Sequence, residues 1–202
     1  MSDTIIIIPS RMSAQRLPGK PLFKINGKTI ISQVFNKARE CKIGDVIVAT
    51  EDKEIVDEIK KNNGKSILTS KKHKSGTDRI WEAYTKIKNK NIKYIINLQG
   101  DEPSININDI KNLNKIVKKN KIEIGTLALK IKGKKLLENK NIVKVITKKK
   151  ISYTYPSEAK KFFRKIKSKY NNIYQHIGIY QYSIKALEKF YKLKRSKNEK
   201  KK

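Results

Sequence analysis

The first 122 residues alternate between short β-branched runs and longer stretches in which apolar residues recur every three to four positions. The runs predict buried strands, and the recurrence predicts amphipathic helices. The predicted strands are 4–8, 45–50, 66–69 and 93–98, and the predicted helices are 29–41, 52–62, 77–88 and 108–119. Strands and helices that alternate four times are typical of an α/β protein with a doubly wound parallel sheet.

Local residues refine two of these elements. The strand 4–8 should end at Pro9 and be followed by a loop. The helix 52–62 should be capped by Asp52 and closed by Gly64. Apolar positions on the helices place Cys41 and Trp81 in the core.

The pattern changes after residue 122. Further strands are predicted at 124–131, 142–147, 151–155 and 173–182, with one helix at 183–192. The last residues, 194–202, are nearly all charged, and we expect them to be disordered. Residues 1–193 are expected to form one continuous domain whose later part adds strands and an oligomer interface.

Composition excludes several classes of protein. The chain of 202 residues is long enough to bury a core without disulfides, and its one cysteine cannot form an intrachain bridge. A reducing cytoplasm is therefore the expected location. No apolar run approaches the 18 residues of a membrane span, and the first residues lack the basic region of a signal peptide.

The net charge of +31 raises the possibility of a nucleic-acid-binding module. Such a module should gather its cations on one face and offer aromatic side chains for stacking. Here the lysines are spread from end to end, and most of the aromatic residues fall at core-like positions. We interpret most of the charge as solvated surface lysine, which argues against nucleic acid as a partner.

Polar clusters lie at three of the predicted strand ends, where open α/β sheets bind ligands. Ser10, Arg11, Arg16 and Lys20 follow the first strand, and cations on a Gly/Pro-shaped loop can clamp phosphates. The alternative is an ordinary basic loop. Asp101 follows the fourth strand, where a carboxylate can hold Mg²⁺ together with phosphates or simply cap a turn.

The remaining cluster, 73–79, precedes a helix. Ser75 or Thr77 can serve as its N-cap, which by itself is the simpler interpretation. His73 fits either a surface loop or the neighbourhood of a nucleotide. The sequence lacks the P-loop, the G-x-G-x-x-G turn, H-E-x-x-H and G-x-S-x-G, and two histidines with one cysteine argue against structural zinc.

These clusters, in this order and spacing, resemble the 3-deoxy-manno-octulosonate cytidylyltransferases, or CMP-Kdo synthetases, over residues 4–193. The matching runs are Ile-Ile-Pro-Ser-Arg (7–11), Arg-Leu-Pro-Gly-Lys-Pro-Leu (16–22), Val-Ile-Val-Ala-Thr-Glu-Asp (46–52), His-Lys-Ser-Gly-Thr-Asp-Arg (73–79), Asn-Leu-Gln-Gly-Asp-Glu-Pro (97–103) and His-Ile-Gly-Ile-Tyr (176–180). The resemblance implies a Rossmann-like, GT-A-like nucleotidyltransferase fold, usually homodimeric. It also implies transfer from CTP to Kdo with Mg²⁺, for lipopolysaccharide biosynthesis.

The resemblance also implies roles for individual residues. Arg11, Lys20 and Asp101 would be catalytic, with Asp101 as the ligand of Mg²⁺. The other substrate-binding residues would be Ser10, Arg16, Ser75, Gly76, Thr77, Arg79, Gln99, His176 and Tyr180. Arg11, Arg16 and Lys20 would grip the CTP phosphates, whereas His176 and Tyr180 would lie near the sugar acid. Residues 1–122 would thus form the nucleotide-binding half, and 123–193 a sugar-site and dimerisation half.

The sequence departs from the family in its second half. The family's Leu-Glu-Gln-Leu-Arg helix, and a later Gly-Val-Asp-Thr segment that supplies a second aspartate to the metal, have no counterpart in these 202 residues. Residues 153–159 also lack the family's arginine. We therefore expect the sugar half to be incomplete and synthetase activity to be weak at best. A chain that binds CTP with little turnover, and a cytidylyltransferase for another acid sugar, remain alternatives.

Overall fold

A mixed eight-stranded sheet forms the centre of the computed structural model, which describes residues 2–13, 17–166 and 170–194. The strands are β1 (Thr4–Ser10), β2 (Lys24–Ile25), β3 (Lys28–Thr29), β4 (Val46–Thr50), β5 (Lys65–Leu68), β6 (Tyr94–Asn97), β7 (Ile124–Lys130), β8 (Lys144–Thr147), β9 (Ala159–Phe163) and β10 (Ile173–Ser183). The helices are α1 (Ile30–Glu40), α2 (Lys53–Lys61), α3 (Gly76–Ile87), α4 (Ile107–Lys119), α5 (Lys134–Glu138) and α6 (Ile184–Lys192). The predicted substrate-binding residue Arg16 lies outside the described residues. So does the tail that we expect to be disordered, 194–202, except for Lys194.

The sheet has a parallel part and an antiparallel part. Its order is β5-β4-β1-β6-β10-β8-β9, with β7 also paired to β10. The first four of these strands are parallel, whereas β10 runs antiparallel to β6, β7 and β8. The four parallel strands and their helices confirm the predicted alternation, and they bring the carboxyl ends of β1, β4, β5 and β6 to one edge.

Strand β1 is the centre of the core because both of its faces are buried. Ile6 and Ile8 pack in a cluster with α1, α2 and α4, whereas Ile5 and Ile7 pack in a second cluster with α3 and α6. Helices on both faces explain why the strand is a continuous apolar run rather than an alternating one. Cys41 is buried as predicted, while Trp81 is only half-buried beside Tyr84 and Tyr191.

One predicted strand end and one predicted cap hydrogen bond were wrong. Strand β1 does not stop at Pro9 but continues to Ser10, and Pro9 pairs only with Ala49 of β4. The pairing to β6 ends at Ile7, so the missing N–H of Pro9 interrupts no bond on that side. Asp52 occupies the N-cap position of α2, but its side chain makes no cap hydrogen bond.

The second half contains the one misplaced strand. Residues 151–155 are irregular, and the strand lies at Ala159–Phe163 instead. This strand is exposed at four of its five residues, so it has no buried face that would produce a hydrophobic pattern. The short helix α5 and the β2–β3 hairpin were also not predicted. Asn26 and Gly27, at φ of 51° and 76°, form the turn of that hairpin.

No helix within the described ranges is long and apolar enough to cross a membrane.

Candidate active site

An open cavity of about 300 Å³ lies at the carboxyl edge of the parallel strands. The residues that line it come from the end of β1 and the loop after it, from the loop after β5 with the start of α3, and from the loop after β6, as expected for a ligand site in an open α/β sheet. They include the following predicted site residues: Ser10, Arg11, Lys20, Ser75, Gly76, Arg79, Gln99 and Asp101. The structure therefore brings together three segments that lie up to 91 positions apart in the sequence.

The loop after β1 returns on itself and places two cations on the cavity wall. The N–H of Gly19 donates to the carbonyl oxygen of Met12 at 2.9 Å, which closes the loop. Gly19 adopts a φ of 75°, a left-handed conformation that glycine tolerates, and it precedes a short 3-10 turn at Lys20–Leu22. Arg11 and Lys20 thus flank the closed loop.

Lys20 and Asp101 form an ion pair at the cavity, with Nζ 2.6 Å from Oδ2. The two side chains are 33% and 54% exposed. An exposed pair of this kind contributes only about 0–1 kcal/mol. A phosphate oxygen can therefore replace the carboxylate at Nζ at little cost, which leaves Asp101 available for another cation.

The carboxylates near the cavity limit how a metal ion could be held. Glu102 follows Asp101, and burial, with a contribution from the Asp101 charge, raises the pKa of Glu102 against the opposing effect of Lys20. No group of three or more metal-ligating side chains occurs in the described part of the chain. Asp101 therefore fits a magnesium ion shared with substrate phosphates, which needs only one or two carboxylates. It does not fit an ion held by the protein alone.

A close approach of two strand ends shapes the floor of the cavity. A Cβ on Gly100 would lie 3.1 Å from the carbonyl oxygen of Pro9 and 3.3 Å from the Cβ of Ser10. Glycine thus allows the turn after β6 to pack directly on the end of β1. The hydroxyl of Ser10 is buried and has no hydrogen-bond partner in the ranges described. A buried unpaired hydroxyl at a cavity wall is available to a ligand.

The segment before α3 contributes backbone and a structural cation. Ser75 is the N-cap, and its hydroxyl accepts from the N–H of Asp78. Arg79 lines the cavity but is only 3% exposed, because its guanidinium donates to Glu51 and to Thr69. Arg79 is thus already paired, whereas Arg11 has no ion-pair partner among the residues that the structure describes. Thr77 does not line the cavity; its side chain hydrogen-bonds Tyr182 of β10.

His73 lies on the cavity wall with a carboxylate behind it. Its Nε2 contacts Glu82 of α3. Glu82 also accepts from the N–H of Ser70 at 2.9 Å and pairs with Lys86 at 2.7 Å. Burial raises the pKa of Glu82, but the hydrogen bonds from Lys86, Ser70 and His73 outweigh it and lower that pKa to about 2. His73 is thus a cavity residue that sequence reasoning left open.

His176 and Tyr180 lie in a separate region, on β10, and do not line the cavity. The His176 ring packs against Tyr180 and Phe162, with centroid distances of 5.3 and 5.0 Å, and its Nε2 lies 2.9 Å from Oγ1 of Thr126. Burial lowers the pKa of His176 and raises that of Tyr180, so both side chains are neutral at pH 7.

Gln99 is the nearest link between this region and the cavity. Its Nε2 donates to Oδ1 of Asn97 at 2.9 Å, and Asn97 pairs with Tyr180 across the β6–β10 ladder. A Cβ on Gly178 would lie 3.8 Å from the Gln99 Cγ. The strand that carries His176 therefore passes beside the cavity residue Gln99.

The parallel strand order, the cavity at its carboxyl edge and the cations on its loops define a Rossmann-like nucleotidyltransferase. The cytidylyltransferase family model matches residues 5–202. The chain belongs to this family and, within it, to the 3-deoxy-manno-octulosonate cytidylyltransferases. Proteins of that name from Thermodesulfovibrio yellowstonii and Elusimicrobium minutum are 40% and 39% identical to it, over 97% and 99% of its length.

Solved structures agree with this assignment. A CMP:2-keto-3-deoxy-manno-octonic acid synthetase complexed with CTP matches 99% of the chain at 32% identity, with a TM-score of 0.86. A putative glucose-1-phosphate thymidylyltransferase from Bacillus anthracis, 15% identical with a TM-score of 0.65 over 96% of the chain and 76% of its own, shares the fold. The chain spans about four-fifths of the two sequence relatives and of the synthetase, at 81%, 82% and 82% of their lengths.

Proposed function

We propose that this protein transfers the cytidylyl group of CTP to 3-deoxy-manno-octulosonate, giving CMP-Kdo and pyrophosphate. The anomeric oxygen of Kdo forms a bond to the α-phosphorus while the bond from that phosphorus to the bridging oxygen of pyrophosphate breaks. The hydroxyl proton is lost to solvent. The observation that carries this proposal is the cavity that unites Arg11, Lys20 and Asp101 at the strand ends, in a chain 40% identical to a named cytidylyltransferase.

Charge placement supports the phosphate side of the reaction. Arg11 and Lys20 lie on one closed loop, and Ser75 and Gly76 at the start of α3 also line the cavity. Nucleotidyl transfer spreads negative charge over phosphate oxygens, and fixed cations together with a helix N-terminus stabilise that charge. Arg11 offers a planar guanidinium that can bind two phosphate oxygens. Lys20 offers a point charge, and a phosphate oxygen can replace Asp101 as its partner.

We assign the magnesium site to Asp101. A bound Mg²⁺ supplies neutralisation of phosphate charge and a lower pKa for a coordinated hydroxyl. Asp101 would hold it with oxygens of CTP, since one carboxylate suffices when phosphates complete the set. Lys20 would then move its interaction from Asp101 to a phosphate oxygen.

The sugar side of the proposal depends on the second region. His176 and Tyr180 present neutral hydrogen-bonding groups on the strand that passes Gln99, which suits the hydroxyls of a sugar acid. We further propose a cytoplasmic homodimer that serves lipopolysaccharide biosynthesis. The single buried Cys41 fits a reducing compartment, and exposed Leu129, Tyr155 and Phe162 favour an interface in the second half.

A pyrophosphate-release assay tests the proposed reaction. With CTP, Kdo and Mg²⁺ present, we expect release that requires Kdo and that falls about 10²-fold in Asp101→Asn. Asp57→Asn, an exposed aspartate on α2, is the matched control and should leave the rate unchanged. Release that is equally fast with another acid sugar would overturn the assignment of Kdo. Equal rates in both variants would overturn the role of Asp101.

A further inference from the structure

Two acidic residues at the end of β4 hold the cavity loops from behind without lining the cavity. Glu51 and Asp52 directly follow β4 and contact the loop after β1. Neither residue was assigned a substrate role from the sequence, and neither is on the cavity wall. Their contacts show what they do instead.

Asp52 is bound to the base of the loop that carries the cavity cations. Its Oδ2 accepts from the N–H of Met12 at 2.7 Å, and the carbonyl oxygen of Met12 accepts from the N–H of Gly19 at 2.9 Å. Met12 follows Arg11, and Gly19 precedes Lys20. One continuous series of hydrogen bonds therefore joins Asp52 to the backbone beside both cations.

Because the side chain of Asp52 binds Met12, it does not cap helix α2. Aspartate is among the best N-cap residues, and Asp52 occupies the N-cap position of α2. In four other helices the side chain of the N-cap residue accepts a hydrogen bond from a backbone N–H of the first turn. These N-cap residues are Thr29, Ser75, Asn106 and Ser183. At α2 the carboxylate instead binds Met12, so its geometry serves the loop rather than the helix.

Glu51 connects the same loop to helix α3, whose first residues also line the cavity. Its Oε1 accepts from the hydroxyl of Ser13 at 3.2 Å, and its Oε2 accepts from Arg79 of α3. The Glu51 side chain is 9% exposed and that of Arg79 is 3% exposed. Helix α3 begins with the Ser75–Gly76 segment of the cavity wall. The two carboxylates thus tie two of the segments that line the cavity to the end of one buried strand.

We propose that Asp52, assisted by Glu51, is a positioning residue of the CTP site. It fixes the separation of Arg11 and Lys20 through Met12 and Gly19. The inference rests on the proposed function, because it is CTP whose phosphates the two cations would bind. Neither carboxylate lines the cavity, so Asp52 and Glu51 would act on CTP binding only through the cavity residues that they position.

Three substitutions at Asp52 separate a loop role from a helix-capping role. Asparagine keeps an acceptor of the same length, whereas serine is a good cap but is too short to reach Met12, and alanine does neither. We expect the calorimetric Kd for CTP to rise about tenfold in Asp52→Ala and Asp52→Ser, the factor that corresponds to one hydrogen bond of about 1.4 kcal/mol. Asp52→Asn should stay near the wild-type Kd. Asn106→Ala, which removes the cap of α4, is the matched control and should not change it.

Amide hydrogen exchange tests the same inference without any ligand. The N–H groups of Met12 and Gly19 should exchange at least about tenfold faster in Asp52→Ala than in Asp52→Asn, while those of β4 stay protected. Unchanged exchange at Gly19, or full recovery of CTP affinity by serine, would overturn the positioning role. A wild-type protein that binds no CTP would instead refute the proposed function, and the exchange result would still decide the role of Asp52.

Discussion

The two sides of the β6–β10 junction use the same sheet in different ways. On the parallel side, polar residues lie beyond the strand ends, and their loops are fixed by backbone hydrogen bonds around one cavity. On the antiparallel side, His176 and Tyr180 lie within a strand and pack mainly against other rings. The loops at neighbouring strand ends bring together residues that are far apart in the sequence. A residue inside a strand contacts mainly the side chains of the adjacent strands. Because of this difference, the first region offers several polar groups around one cavity. The second region offers a neutral surface of aromatic rings.

The largest expected effect concerns a buried ion pair beside the cavity, which we compare with an exposed ion pair on α6. Arg79→Met leaves Glu51 buried without its partner, so the free energy of unfolding should fall by about 3–5 kcal/mol. Lys192→Met removes an exposed pair with Glu188 on α6, and about 0–1 kcal/mol should be lost. Urea unfolding measures both. Equal losses would show that the Arg79 pair is not the stronger support, and Glu51→Gln combined with Arg79→Met should recover part of the larger loss.

A smaller effect distinguishes the substrates of the two regions. His176→Ala should raise the apparent KM for Kdo about tenfold, or about 1.4 kcal/mol, by removing a hydrogen-bonding ring. The Kd for CTP should stay unchanged, because His176 is not on the cavity wall. Steady-state assays and calorimetry provide the two values. A parallel rise in both constants would contradict the separation of the regions.

A third expected effect is a pH dependence within the first region. The folded-state pKa of Glu82 is lowered from 4.5 to about 2, so its contribution to stability is present above pH 4.5 and is lost as the pH falls towards 2. In that range the free energy of unfolding of the wild type should fall more steeply than that of Glu82→Gln, by about 1.4 kcal/mol per pH unit. Thermal unfolding at several pH values measures the difference. If the free energies of unfolding of the two proteins fall in parallel with pH, the hydrogen bonds of Glu82 with Lys86, Ser70 and His73 do not stabilise the folded state.

The same contrast explains how far the sequence predicts the fold. Buried runs such as Ile5–Ile8 and the spaced apolar residues of α1–α4 leave clear patterns, because one or both faces must be apolar. Strand β9 is mostly exposed and is fixed by pairing with β8, which is a long-range contact that leaves no periodic signal. Residues 151–155 include β-branched and aromatic residues, but within the described ranges they pair with no strand.

The candidate site was predictable where family motifs and strand ends coincide. Lys20, Gln99 and Asp101 meet at the cavity as the motifs imply, and their roles stay predictions. The supporting contacts were not predictable, because they depend on which side chain a partner reaches. Asp52 has the sequence signature of a cap, yet its carboxylate binds Met12 instead. Arg79 was predicted to bind substrate, yet its guanidinium is buried against Glu51 and Thr69.

We propose that CTP binds at the strand ends of the first half. The most direct measurement is a calorimetric titration with CTP and Mg²⁺ of the wild type, of Lys20→Ala and of Lys24→Ala, an exposed lysine on β2. Loss of one phosphate-binding cation should raise the Kd at least about tenfold in Lys20→Ala, while Lys24→Ala should keep the wild-type value. An identical Kd for all three proteins would contradict the claim, since binding would then not use the cavity at the end of β1.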